Sequence, residues 1–159
     1  MVAAALVGCG SDGSVSVDES ALAPSRADYV LGADRVCSRY EDRVEAEAET
    51  RFALGPDDVR VDGSRVVFRP GRRPRDAEIE AFATDFAIPS LRQQLAELRS
   101  LRAPEGEEAR VTRIYDGAAT AIDSLAAEPA LLSDQAATRR LFAPSTKLAR
   151  DYGIRVCGL

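Results

Sequence analysis

Apolar positions recur at helical spacing through most of the chain and alternate in only one short stretch, and that contrast predicts the fold. From Asp28 to Phe52 the apolar or small positions are Val30, Ala33, Cys37, Tyr40, Val44, Ala48 and Phe52, in steps of three and four that trace one helical face. Glu41, Asp42, Glu45, Glu47 and Glu49 are expected on the outer face, and Gly55-Pro56 to end the helix. Between 56 and 74 the texture changes. Val59-Arg60-Val61 and Val66-Val67-Phe68 flank Asp62-Gly63, which predicts a short β-hairpin. Such a hairpin is marginal in water unless it packs on something, so a plain ordered loop is the other reading.

A second helix is expected from Pro74 to Asp76 onward, burying Ile79, Phe82, Phe86, Ile88, Leu91, Leu95, Leu98 and Leu101. Pro89 removes a backbone donor inside that run and should kink or break the helix near Phe86 to Ile88. A third helix is read from Glu105 to Ala127. A helical turn follows from Pro129 to Leu132, then a segment from Asp134 to Phe142 and a last helix from Pro144 to Tyr152, capped by Gly153. Ile154 to Cys157 should be extended. The expectation is an all-α fold, a four-helix up-and-down bundle with a kinked second helix and a small β-hairpin insert.

The N-terminus reads as an address. Val2 to Gly8 form a short apolar run that ends in Leu6-Val7-Gly8-Cys9, a lipobox whose cysteine would be freed by cleavage and acylated. The run is far below the ~20 apolar residues of a membrane span. No Lys or Arg precedes Arg26, so the charged opening of an export signal is missing; the true start is expected further upstream, or the signal shortened. Residues 1–8 are read as a signal remnant and 9–26 as a Gly/Ser/Asp tether spanning about 20 to 25 Å. Residues 27–159 make a single helical domain.

Composition narrows the chemistry. Net charge is −5, which disfavours a nucleic-acid partner. The absence of histidine removes Ser-His-Asp and Cys-His catalysis and the usual zinc ligand, so no catalytic or metal-binding residue and no cofactor is assigned. Lys147, two residues after Ser145, is read as a solvated lysine rather than a catalytic one. Asp85, Asp116 and Asp123 neighbour apolar positions and either reach into a groove or form salt bridges with Arg92, Arg99 or Arg113. Arg65, Arg69, Arg72, Arg73 and Arg75 have no acid among them and are expected to form a local positive patch, either a solvated loop or a contact for anionic headgroups. Phe82, Phe86, Tyr115 and Phe142 are read either as core or as the lining of an apolar cavity.

Three cysteines fit an exported chain once Cys9 is assigned to the lipid. Cys37 and Cys157 then remain, either as a disulfide favoured by an oxidising compartment or as two buried thiols. The lipobox, Cys37 in the first helix, Pro89-Ser90-Leu91-Arg92-Gln93-Gln94 with Leu98-Arg99 and Leu101 behind it, and Tyr152-Gly153 before Cys157-Gly158 together resemble small actinobacterial lipoproteins of unknown function. The missing charged opening and the Arg-rich stretch at 59–75 depart from that pattern. The resemblance implies a secreted, lipid-anchored helical domain with one disulfide, and brings no catalytic residues. The expected function is a non-catalytic binding or interaction module on the extracytoplasmic face of the cell membrane, touching an envelope protein or lipid. The alternative is a carrier or sensor of a small apolar molecule or lipid.

Overall fold

A computed structural model describes residues 23–157; Cys9, the stretch read as a signal remnant and most of the expected tether lie outside the described residues. The chain is a mostly-α bundle with a small hairpin insert. Its elements are α1 (Arg26–Phe52), β1 (Val59–Asp62), β2 (Arg65–Phe68), α2 (Asp76–Phe82), a π-turn (Ala83–Ala87), α3 (Ile88–Ser100), α4 (Glu108–Ala127), a 3-10 segment (Pro129–Ser133) and α5 (Gln135–Tyr152). In the core α1 packs on α3, α3 on α4, and α4 on α5. No helix among the described residues is long and apolar enough to cross a membrane.

The first helix starts where its cap dictates. Ser25 accepts from the Asp28 N–H and satisfies one of the donors left open at a helix start. Its end differs from expectation: Ala53, not Gly55, takes the left-handed position at φ 50, and the Leu54 N–H closes back on the Glu49 carbonyl. The apolar contacts of Phe52 and Leu54 with the core hold Ala53 in a conformation that glycine would adopt more readily.

The hairpin forms, one residue later than the sequence signal. Val59 pairs with Phe68 and Asp62 with Arg65, leaving Gly63-Ser64 as the two-residue turn, with Gly63 at φ 62. It is stable because it packs: Val59, Val61 and Val66 join the core cluster, and the outer edge of β1 is covered by α1. The Val61 N–H donates to Glu45 at 2.5 Å and the Gly63 N–H to Glu41 at 2.9 Å. Two of the acids assigned to the outer face of α1 therefore serve as acceptors for strand donors.

The second helix runs continuously from α2 through the π-turn into α3. Ile79 and Leu98, both buried, are 19 residues apart, whereas five α-helical turns hold about 18. The π-turn absorbs the extra residue, keeping both halves on one buried face, and it sits just ahead of Pro89, whose missing N–H leaves the ladder open there.

The third and last helices correct the sequence reading. Residues 105–107 form a turn, and α4 begins at Glu108. Instead of a break at Pro144, α5 runs unbroken from Gln135 to Tyr152. Pro144 and Arg140, whose carbonyl loses its partner, are both exposed, so water can satisfy what the proline removes. Asp134 caps this helix by accepting from the Ala136 and Ala137 N–H groups.

Candidate binding surface

Cys37 and Cys157 are joined in a disulfide, Cα atoms 5.2 Å apart across 120 residues of sequence. Asp34, one turn earlier on α1, accepts from the backbone N–H groups of Arg155 and Val156, both at 2.9 Å. The Arg26 guanidinium lies 4.4 Å from the centroid of the Tyr152 ring and donates to the Tyr152 carbonyl. The C-terminal segment is thus fixed to the first helix by one covalent and several polar ties.

The arginines of the hairpin region do not form an unpaired patch. Arg69 and Arg72 both pair with Asp58, at 3.0 and 2.9 Å, and Arg65 pairs with Asp62 across the turn. Arg73 pairs with Asp76 and also donates to the Ser133 carbonyl, while Arg75 pairs with Glu78 at 2.7 Å. The expected patch is corrected to a set of ion pairs, because Asp58, Asp62, Asp76 and Glu78 border the basic run and fold back on it. Asp58 is 6% exposed; the Gly55 N–H, then Arg72 and Arg69, hold its carboxyl below the usual range. Glu78 is held down to about 2 by the Arg75 side chain and backbone N–H.

The three aspartates beside apolar positions are engaged in salt bridges. Asp123 pairs with Arg92 at 3.2 Å, Asp116 with Arg99 at 2.8 Å, and Asp85 with Arg51 at 3.3 Å. Lys147 pairs with Asp151 at 2.6 Å, and buried Ser145 donates to the Phe142 carbonyl at 2.9 Å, so the two do not meet. Among the described residues no three Asp, Glu or Cys side chains gather into a set able to hold a metal ion. The four aromatics do not line a common cavity. Phe82 stacks on Phe86 at 5.9 Å and meets Phe52 edge-on at 5.4 Å, while the Tyr115 hydroxyl lies 2.6 Å from that of Tyr29 in the buried interior.

Two further surface features among the described residues bear on function, and the sequence alone points to neither. The first is a narrow cleft between α1, the hairpin turn and α3. Glu41, Ser64, Ser90 and Gln94 meet there among Val44, Val61, Val66, Leu91 and Leu132. Burial pushes the Glu41 carboxyl up to about 7, against the Gly63 N–H that stabilises its charge; Asp62, Glu45 and Asp42 nearby push the same way as burial. A carboxyl poised near neutrality is the sort of group that active sites use. The cavity is about 20 Å³, however, room for a single water and no substrate.

The second is a groove of about 740 Å³ between the hairpin turn and α5. Asp62, Ser64 and Arg65 form one wall, and Arg139, Ala143, Thr146, Lys147, Arg150 and Asp151 the other, with Phe142 beneath. The α5 residues follow steps of three, one and four, a single stripe along three helical turns. That spacing is legible in the sequence only if α5 is read as one helix, and the expected break at Pro144 cut the stripe in two. Against known proteins the chain matches no family model, no curated protein and no solved structure.

Proposed function

We propose that this chain is a non-catalytic binding module held on the extracytoplasmic face of the membrane by acylation of Cys9, with the groove between the hairpin turn and α5 as its contact surface. The observation that carries this reading is the Cys37–Cys157 pairing, which suits an oxidising compartment and leaves Cys9 as the one cysteine available to lipid. The packing supports a binding role. Phe82, Tyr115 and Phe142 are packed against their neighbours, and the groove is open, lined by both polar and apolar surface, and large enough for a segment of another molecule. A carrier of apolar molecules would need the enclosed space that these side chains occupy.

Mass spectrometry of the protein purified from native membranes tests the reading. The expected result is a diacylated N-terminal Cys9 with Cys37 and Cys157 oxidised. Three reduced, unmodified thiols would overturn it.

A further inference from the structure

We propose that the groove takes an extended acidic peptide segment of a partner protein, with carboxylates about six residues apart bound at its two ends. This inference rests on the reading of the chain as a binding module and supplies the chemistry of its partner. Within the groove Asp62 is paired with Arg65 and Asp151 with Lys147, so those four charges offset one another. Arg139 and Arg150 have no carboxylate partner among the described residues, and both are exposed. The groove therefore carries two uncompensated guanidinium groups on a protein of net charge −5.

Their spacing selects the ligand. Eleven residues of α-helix separate Arg139 from Arg150, a rise of about 16.5 Å, and three full turns bring both to the same face. In an extended chain only even separations return to the same face; six residues rise by about 20 Å, and the difference from the helix spacing is within reach of the long arginine side chains, so acidic side chains at positions one and seven of a strand match the two arginines. Each guanidinium offers a planar pair of donors that fits a carboxylate. Between them Phe142, Ala143 and Thr146 give a surface of small and apolar side chains for the intervening residues. A lone phosphate held at one end of the groove leaves the other arginine unpaired, and a flat bilayer does not enter a concave groove, so a polypeptide fits better than either.

The test uses two labelled heptapeptides with blocked termini and identical composition, Asp-Ala-Thr-Ala-Thr-Ala-Asp and Asp-Asp-Ala-Thr-Ala-Thr-Ala. Their binding to the protein with its disulfide intact is followed by fluorescence anisotropy at low salt. The spaced peptide should bind roughly fivefold more tightly than the clustered one, as expected for one additional exposed ion pair. Arg139→Gln and Arg150→Gln should each remove that preference. Arg140→Gln, which deletes the same charge from α5 outside the groove, should leave it intact. Far-UV circular dichroism confirms that these exposed substitutions leave the helices in place. Equal binding of the two peptides, a preference unchanged in Arg139→Gln and Arg150→Gln, or displacement of the spaced peptide by inorganic phosphate or anionic phospholipid vesicles at equal charge would overturn the proposal. Acylation of Cys9 is read separately by mass spectrometry, so failure here leaves the anchored-module reading standing, and the converse holds too.

Discussion

Glu41 shows how one residue can hold opposite roles. Its carboxylate satisfies the Gly63 N–H and so anchors the hairpin turn, yet burial and the neighbouring Asp62, Glu45 and Asp42 oppose its charge. With a folded value of about 7 against an ordinary 4.5, the native state binds a proton more tightly than the unfolded chain between those limits. Its contribution to stability is then fully present below about pH 4.5 and is lost as pH rises through 7. Glu41→Gln keeps an oxygen acceptor for Gly63 and removes the charge. Because the group is only partly buried and so screened, the gain at pH 8 should be about 1 kcal/mol, falling to nothing near pH 4. Urea midpoints at the two pH values check this; a variant less stable than the parent at pH 8 would show that the charged hydrogen bond outweighs desolvation. Nothing in the local sequence marks Glu41 apart from Asp42 or Glu45, since its environment comes from a hairpin turn some 20 positions away.

At the scale of elements, periodicity is a sound guide to where helices lie, and proline marks the irregularity expected near Phe86 to Ile88 but not the break expected at Pro144. Pro89 and Pro144 look alike on paper. The first stands at a π-turn that resets the phase of a buried stripe; the second lies on an exposed face and leaves α5 running. The difference is which side of the helix faces water, a property of the assembled bundle. The acidic face of α1 was legible as polar, but not as the cover for a strand edge. Close helix approach was also invisible. A Cβ built at Gly117 of α4 would stand 3.3 Å from the Ser145 Cβ of α5, so a side chain there fits only if the facing helix gives way. Gly117→Val should force α4 and α5 apart and cost about 2 kcal/mol. Chemical denaturation measures it, and a loss below ~0.5 kcal/mol would mean that the two helices can slide without penalty.

At the scale of the whole molecule, the Cys37–Cys157 bridge closes nearly the entire described chain into one loop. Counting leaves Cys37 and Cys157 as a candidate pair if Cys9 is taken by a lipid, with two buried thiols as the other reading, and the structure joins them. What counting did not reveal is the support around it, where Asp34 and Arg26 tie the same segment down through backbone groups. Restricting the unfolded chain over a loop of this length is worth about 4 to 5 kcal/mol in the chain-entropy treatment. Cys37→Ser should lose several kcal/mol and become readily cleaved by protease under conditions where the parent resists. Equal melting of the parent with and without reductant would contradict this.

The same bridge has a mechanical consequence. Tension entering through α1 at Arg26 and leaving at the C-terminus passes along about three turns of helix to Cys37 and crosses directly through the sulfur atoms to Cys157. The covalent path bypasses the ring that hangs from those sulfurs, with the hairpin and α2 to α5 inside it. A body hauled by its ends would therefore keep the shape of its groove while the strand that holds it is drawn taut.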